Sequence, residues 1–208
     1  TVVIGEGERD EAPMLYIGEK LGNGKSKGPK LDIAVDPLEG TNLAVAGQNG
    51  AVCVFAAAPS GTLFHAPDTY MEKIAAGQKI GNAVSLSKSI EENLDTIAKK
   101  TKKPMNKITV LMLDRPRHDD LKKRIIAKGA NVKLITDGDV FGAIVTAFEK
   151  CNVDMYIGTG AAPEGVLAAT ALKALGGYFE GRLKFRNDEE KTRAKKMGIL
   201  ENDFSKIY

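Results

Sequence analysis

Short apolar runs separated by charged, periodic segments set the pattern of this chain. Residues 1–4 (TVVI) form a β-rich run closed by Gly-Glu-Gly. From 10 to 21 the spacing suits a helix, with Pro13 tolerated in its first turn. A glycine- and lysine-rich loop at 22–30 leads to LDIAV at 31–35, which reads as a buried strand. Residues 51–58 and 62–65 flank Pro59-Ser60-Gly61 and predict a hairpin. Ser89 followed by Glu92 makes a capping box for a helix running to about Lys100. After that the chain alternates. Strands are expected at 108–113, 132–135 and 153–157, with helices at 119–128, 140–149 and 164–175. A charged helix at 187–197 follows. This alternation predicts α/β layers.

The 208 residues suffice for one large α/β domain or two small ones, and a hydrophobic content of 43% supports a real core. The net charge of +3 is too mild to argue for nucleic acid. No apolar run approaches the ~18 residues of a membrane span. Cys53 and Cys151 lie in apolar runs and read as buried, reduced thiols of a cytosolic protein. Two histidines, His65 and His118, argue against a histidine-rich zinc site. No initiator Met opens the chain and no closing element ends it, so an internal portion of a longer protein is expected.

Ligands of open α/β sheets bind beyond the carboxyl ends of the strands. Each expected strand here ends in acids, arginines or glycines. These ends are Gly5-Glu6-Gly7-Glu8, then DPLEGT at 36–41, DRPRH at 114–118, Asp137-Gly138-Asp139, and GTGAAPEG at 158–165. Two carboxylates ~4 Å apart repel by about 4 kcal/mol at an effective dielectric of 20, so a convergent set needs protons or cations. Protonation fits an acid–base dyad. An all-oxygen set fits a divalent cation better, Mg²⁺ or Mn²⁺ ahead of Ca²⁺. In DPLEGT, Pro37 would turn Glu39 back toward Asp36, and Gly40 would admit an anion to the backbone. The amides of Gly40 and Thr41 would open a helix, and the Thr41 hydroxyl could hold a water.

Each feature also has a plainer reading. DPLEGT is ordinary turn chemistry, and Glu6 suits a solvated loop. Glu164 suits a helix first turn, and Asp137 and Asp139 suit helix caps. Arg115 and Arg117 suit the surface, His118 a helix start, and Tyr70 a core aromatic with a wet tip. Their common position after strands favours a site.

DPLEGT resembles the D-P-[LIF]-[DE]-G-[ST] signature of the metal-dependent, lithium-sensitive sugar and inositol phosphatases. GEGERDEAPMLYIGEKLGNG, APDTYMEK, RPRHD, DGDV and APEG follow the order of class II fructose-1,6-bisphosphatases. The resemblance covers essentially all 208 residues. It implies a layered α-β-α-β-α sugar-phosphatase fold, incomplete here, with the chain as one phosphatase region. It also implies hydrolysis of the 1-phosphate of fructose 1,6-bisphosphate by direct attack of a metal-activated water. Sedoheptulose 1,7-bisphosphate is a second substrate in photosynthetic relatives.

By the same resemblance Glu6, Asp36, Glu39 and Glu164 are metal ligands for Mn²⁺ or Mg²⁺. Thr41 and Glu6 are catalytic. Glu39, Gly40, Thr41, Tyr70, Arg115, Arg117, Asp137, Gly138 and Asp139 contact substrate. Arg115 stands where a lysine is usual in some members, and Ala161 where a glycine is common. An upstream metal-binding Asp and a C-terminal portion of the family pattern are not in this chain. The implied setting is cytoplasmic, with a small sugar bisphosphate as partner, no nucleic acid, no membrane, and a homodimer or homotetramer as assembly. An inositol-phosphate or nucleotide phosphatase shares the same metal motif. An inactive sugar-phosphate-binding fragment is the reading from a different class.

Overall fold

The structure is a computed structural model that describes residues 1–5, 14–22 and 28–208. Two sheets organise it. The first has three strands in the order β1 (Val2–Ile4), β2 (Leu31–Glu39), β3 (Val52–Pro59), with β1 parallel and β3 antiparallel to β2. The second comprises β4 (Tyr70–Ala76), β5 (Thr109–Leu113), β6 (Asn131–Ile135), β7 (Met155–Ala161) and β8 (Tyr178–Lys184). Its strand order is β6-β5-β7-β4-β8.

The helices are α1 (Thr41–Val45), α2 (Ile90–Thr101), α3 (Asp119–Ala127), α4 (Asp139–Ile144), α5 (Ala162–Ala174) and α6 (Asp188–Lys196). Helix α5 touches strands of both sheets, so it lies between them, with α4 packed beside it. One core joins Val3, Ala34 and Ala56 of the small sheet to Met71, Leu167 and Leu172. A second core, on the other face of the large sheet, joins Ile74, Val110 and Met155 to Leu94, Ile97 and Ile125 of α2 and α3. The order is therefore sheet, helices, sheet, helices. These are four of the five expected layers, and the α/β class stands.

Among the described residues no helix covers the outer face of the small sheet, where Phe55 is 65% exposed. Cys53 and Cys151 are exposed, against the expectation of buried thiols. Alternation along β3 turns Cys53 outward with Phe55, and Cys151 sits in a surface turn at Glu149–Cys151.

Several local expectations hold. Ser89 and Glu92 form the reciprocal capping box of α2. Strands β5 and β6 and helices α3, α5 and α6 fall where periodicity places them. Others change. The helix expected over 10–21 is absent from 14–21, and 10–13 lie outside the described residues. Gly18 at φ 93° and Leu15 at φ 62° cannot continue a helix. The segment instead pairs with β1, Val2 N–H donating to Glu19 O (2.9 Å) and Gly18 N–H to Val2 O (2.8 Å).

Residues 62–65 do not return as a hairpin strand. Asp32 takes the turn, accepting from Gly61 N–H (2.6 Å) and the Ser60 hydroxyl (3.1 Å). Helix α4 stops at Ile144 and tightens into a 3₁₀ turn. No helix here is long and apolar enough to cross a membrane, among the described residues.

Candidate active site

DPLEGT does not follow β2; its first four residues are the end of β2. Asp36 pairs with Val54 and Glu39 with Val52, so β2 carries one extra residue there, a bulge. The bulge, rather than a turn at Pro37, re-aims the two acids. Leu38 N–H donates to Asp36 Oδ1 (3.1 Å) within it. Gly40, at φ 84°, then reverses the chain into α1, a conformation that side chains rarely adopt. Thr41 opens α1 and is exposed. The next amide, Asn42 N–H, donates to Asp137 Oδ2 (3.3 Å), as does the Asn42 side chain (3.1 Å). The two acidic motifs, nearly a hundred residues apart, are thus bound together.

Glu39 is only 3% exposed and accepts from Val140 N–H (3.2 Å), so it sits on the first turn of α4 beside Asp139. Gly138 lies at φ 89° immediately before that helix. Asp139 is buried and meets Lys73, a fully buried lysine of β4, whose Nζ lies 2.6 Å from Asp139 Oδ2. The same Nζ is 3.7 Å from Glu164 Oε2, in the first turn of α5. Asp36 and Glu164 line one cavity of about 290 Å³, together with Gly5, Asp68, Ala161 and Arg193. Asp36, Glu39, Asp139 and Glu164 are therefore electrostatic neighbours, and Asn42 ties Asp137 to the start of α1 nearby. Glu6 lies outside the described residues.

Burial, then the charges of Asp139 and Asp36, push the Glu39 carboxyl up to about 7. Burial and Asp139 push Glu164 up to about 8, against the pull of Lys73. Glu39 Oε2, Asp139 Oδ1 and the Tyr156 hydroxyl are buried with no hydrogen-bond partner. Acceptors left dry and unpaired are costly. The site is thus short of positive charge, and its oxygen-only donors fit a hard divalent cation. Among the described residues no three Asp, Glu, His or Cys side chains are placed to hold a metal ion together.

Arg117 and Tyr70 lie on the other face of the β4–β7 pair. Strand β5 pairs with β7 at Val110–Met155 and Leu111–Tyr156. Further along, the Thr159 backbone is claimed by the RPRH segment. Arg117 donates to Thr159 O through Nε (3.0 Å) and Nη2 (2.6 Å). Thr159 N–H donates to His118 Nε2 (2.8 Å), so Nδ1 carries the proton and donates to Leu113 O (2.9 Å). That arrangement needs a neutral ring. Burial lowers the His118 pKa, and the Arg117 charge lowers it further.

Arg117 Cζ stands 5.0 Å from the Tyr70 ring centroid. Tyr70 pairs with Ala161, one residue before α5. Arg115 is not drawn into this group by a contact of its own; its Nη1 donates to Asp114 O (2.9 Å).

Sequence reasoning did not find Lys73 or Arg186. A signal existed for Lys73, which alternates with Met71 and Ala75 on a face that is otherwise apolar. Arg186 Cζ lies 4.7 Å from the Tyr70 centroid, and nothing in its local sequence announces that.

Fold and site define a layered α/β protein with buried carboxylates on one side of a strand end and guanidinium groups on the other. All 208 residues match the family model described as bacterial fructose-1,6-bisphosphatase, glpX-encoded, and the chain belongs to that family. It is 45% identical over 229 residues to a D-fructose 1,6-bisphosphatase class 2/sedoheptulose 1,7-bisphosphatase 2 of Acaryochloris marina, covering 100% of this chain and 65% of the relative. It is 44% identical over 229 residues to a D-fructose 1,6-bisphosphatase class 2/sedoheptulose 1,7-bisphosphatase of Trichodesmium erythraeum, covering 100% and 66%. A similarly named Prochlorococcus marinus protein is 49% identical over 184 residues, covering 88% and 55%. The chain spans 65% and 66% of the length of the first two relatives.

Proposed function

We propose that this chain is one region of a metal-dependent phosphomonoester hydrolase acting on the 1-phosphate of fructose 1,6-bisphosphate. Sedoheptulose 1,7-bisphosphate, which the relatives' names include, is the second substrate. The observation that carries this reading is the set of neighbouring carboxylates Asp36, Glu39, Asp139 and Glu164, where burial and the charge of Asp139 raise Glu39 to about 7 and Glu164 to about 8. Asp36, Glu39 and Glu164 would hold Mn²⁺ or Mg²⁺ once drawn closer together than they stand here, with Glu6 as a further ligand. Such a cation supplies Lewis acidity toward a phosphoryl oxygen and toward water. Asp139 is less available as a ligand, because Lys73 already neutralises it.

The chain's own residues do the rest. Gly40 lets a phosphoryl group approach the backbone without a side chain in the way. Thr41 holds the attacking water through its hydroxyl, with Glu6 in the role of catalytic acid. Asp137 fixes the first turn of α1 through Asn42 and so sets where Thr41 points. Arg117, pinned on Thr159, and Tyr70 receive the phosphate that does not react. Arg115 joins them only if its side chain leaves the Asp114 carbonyl. Binding energy from that remote phosphate positions the reacting one. We place the protein in the cytoplasm, as a homodimer or homotetramer.

The test is phosphate release from fructose 1,6-bisphosphate, with and without Mn²⁺ or Mg²⁺, by this chain and by the full-length protein. Metal-dependent release by the full-length protein supports the reading. No release from either bisphosphate at any metal concentration overturns it.

A further inference from the structure

Tyr70 has a second guanidinium on its ring. Arg117 Cζ lies 5.0 Å and Arg186 Cζ 4.7 Å from the same centroid. Two like charges around one ring repel, and each must be held. Arg117 is held by the Thr159 carbonyl, which takes Nε and Nη2. Arg186 is held by Glu190, whose Oε1 takes the same two nitrogens, Nε and Nη2.

Glu190 is itself built in. It is 2% exposed and accepts from the Thr69 hydroxyl (2.6 Å) and Arg186 N–H (2.8 Å). Asn187 caps the helix that carries it, its side chain accepting from Glu190 N–H (2.9 Å). A buried carboxylate is thus devoted to aiming an arginine whose side chain is 49% exposed. In both arginines Nη1 is the terminal nitrogen left over. Lys184, opposite Tyr70 in β8, adds a third cation to this rim, 3.2 Å from Glu72.

We propose that Arg186 is a further substrate-binding residue, which closes with Arg117 on a phosphate at Tyr70, and that Glu190 is its positioning residue. The inference rests on the phosphatase reading above and deepens it. Guanidinium forks match phosphoryl oxygens in geometry and charge. Alternation along β4 puts Tyr70 and Glu72 on the face of α2 and α3, and Lys73 on the face of α4 and α5. Tyr70 aligns with Ala161, the last residue of β7, directly before the helix that carries Glu164. A ligand reaching both groups straddles that strand end. It needs a phosphate on each side, which makes the clamp a selector for bisphosphorylated over monophosphorylated sugars.

The test uses the full-length protein with Arg186→Gln, Arg186→Lys and Glu190→Gln, each checked for an unaltered circular dichroism spectrum. Equilibrium binding is measured by calorimetry with fructose 1,6-bisphosphate and with glucose 1-phosphate, which has no remote phosphate. Turnover of fructose 1,6-bisphosphate is followed in parallel. Arg186→Gln should weaken bisphosphate binding about tenfold to a hundredfold, the loss of one charge-assisted contact. Its KM should rise with kcat within about threefold. Glucose 1-phosphate binding should not change.

Arg186→Lys, which keeps the charge but not the fork, should fall between Arg186→Gln and wild type. Glu190→Gln should lie closer to wild type. Unchanged bisphosphate binding in Arg186→Gln overturns the inference, as does equal weakening for both sugars. If the wild type binds the bisphosphate through Arg186 but releases no phosphate, the clamp stands and the hydrolase reading falls.

Discussion

Lys73 Nζ lies 2.6 Å from Asp139 Oδ2, both side chains buried, across 66 residues of sequence. The lysine rises from the middle of a strand whose partners at that level, Gly158 and Gly181, carry no side chain. It supplies a fixed positive charge among acids that otherwise repel.

Breaking that pair leaves a buried carboxylate without compensation. Lys73→Met should destabilise the protein by about 3–5 kcal/mol. Pairing it with Asp139→Asn should recover more than half of the loss. Urea denaturation of the two single variants and the double variant measures this, and additive losses would mean that the two residues are not coupled.

Gly160 faces the same carboxylate. A Cβ there would come 1.9 Å from Asp139 Oδ2, with Lys73 Nζ at 3.2 Å. Gly160→Ala should therefore cost about 1–3 kcal/mol by overpacking and disturb the ion pair. A melting temperature equal to wild type would show that the pair can shift without penalty.

Glu39, a ligand of the proposed cation site, is a buried carboxylate beside Asp139. Glu39→Gln keeps an acceptor for Val140 N–H and removes one of two buried carboxylates that repel each other. Without metal the variant should be within about 1 kcal/mol of wild type, on the stabilising side. Added Mn²⁺ or Mg²⁺ should raise its melting temperature less than that of wild type. Identical metal titrations would remove Glu39 from the ligand set.

His118 must stay neutral to accept from Thr159 N–H. Its folded pKa is lowered from 6.5, so the unfolded chain binds the proton more readily. The stability this ring contributes is complete above about pH 6.5 and declines as pH falls below it toward the folded pKa. His118→Asn should abolish that part of the decline. Thermal melts of both proteins between pH 7.5 and 5.5 give the comparison, and parallel curves would refute the assignment.

Thr41, the proposed holder of the attacking water, is exposed at the first position of α1. Thr41→Ala should lower kcat about a hundredfold with KM changed less than threefold. Steady-state phosphate release from fructose 1,6-bisphosphate reads both, and an unchanged kcat removes Thr41 from the chemistry.

What the sequence determined by itself was whatever rests on neighbours in the chain. The Ser89–Glu92 box, the alternation from β5 to α5, and the turn of Gly40 into α1 are all local. Tertiary structure decided the rest. Strands β4 and β8 were missed because Glu72, Lys73, Glu180 and Arg182 interrupt their apolar pattern. Those charges are tolerable because distant residues answer them: Arg182 for Glu72, Asp139 for Lys73, and Ser85 and Leu86 for Glu180. The helix expected over 10–21 gave way, within 14–21, to pairing along β1. The acids of DPLEGT were legible as a candidate site, but their place in a bulge, the lysine beside Asp139 and the second arginine at Tyr70 were not. A buried charge is stable only beside its partner, and the partner is chosen by the fold.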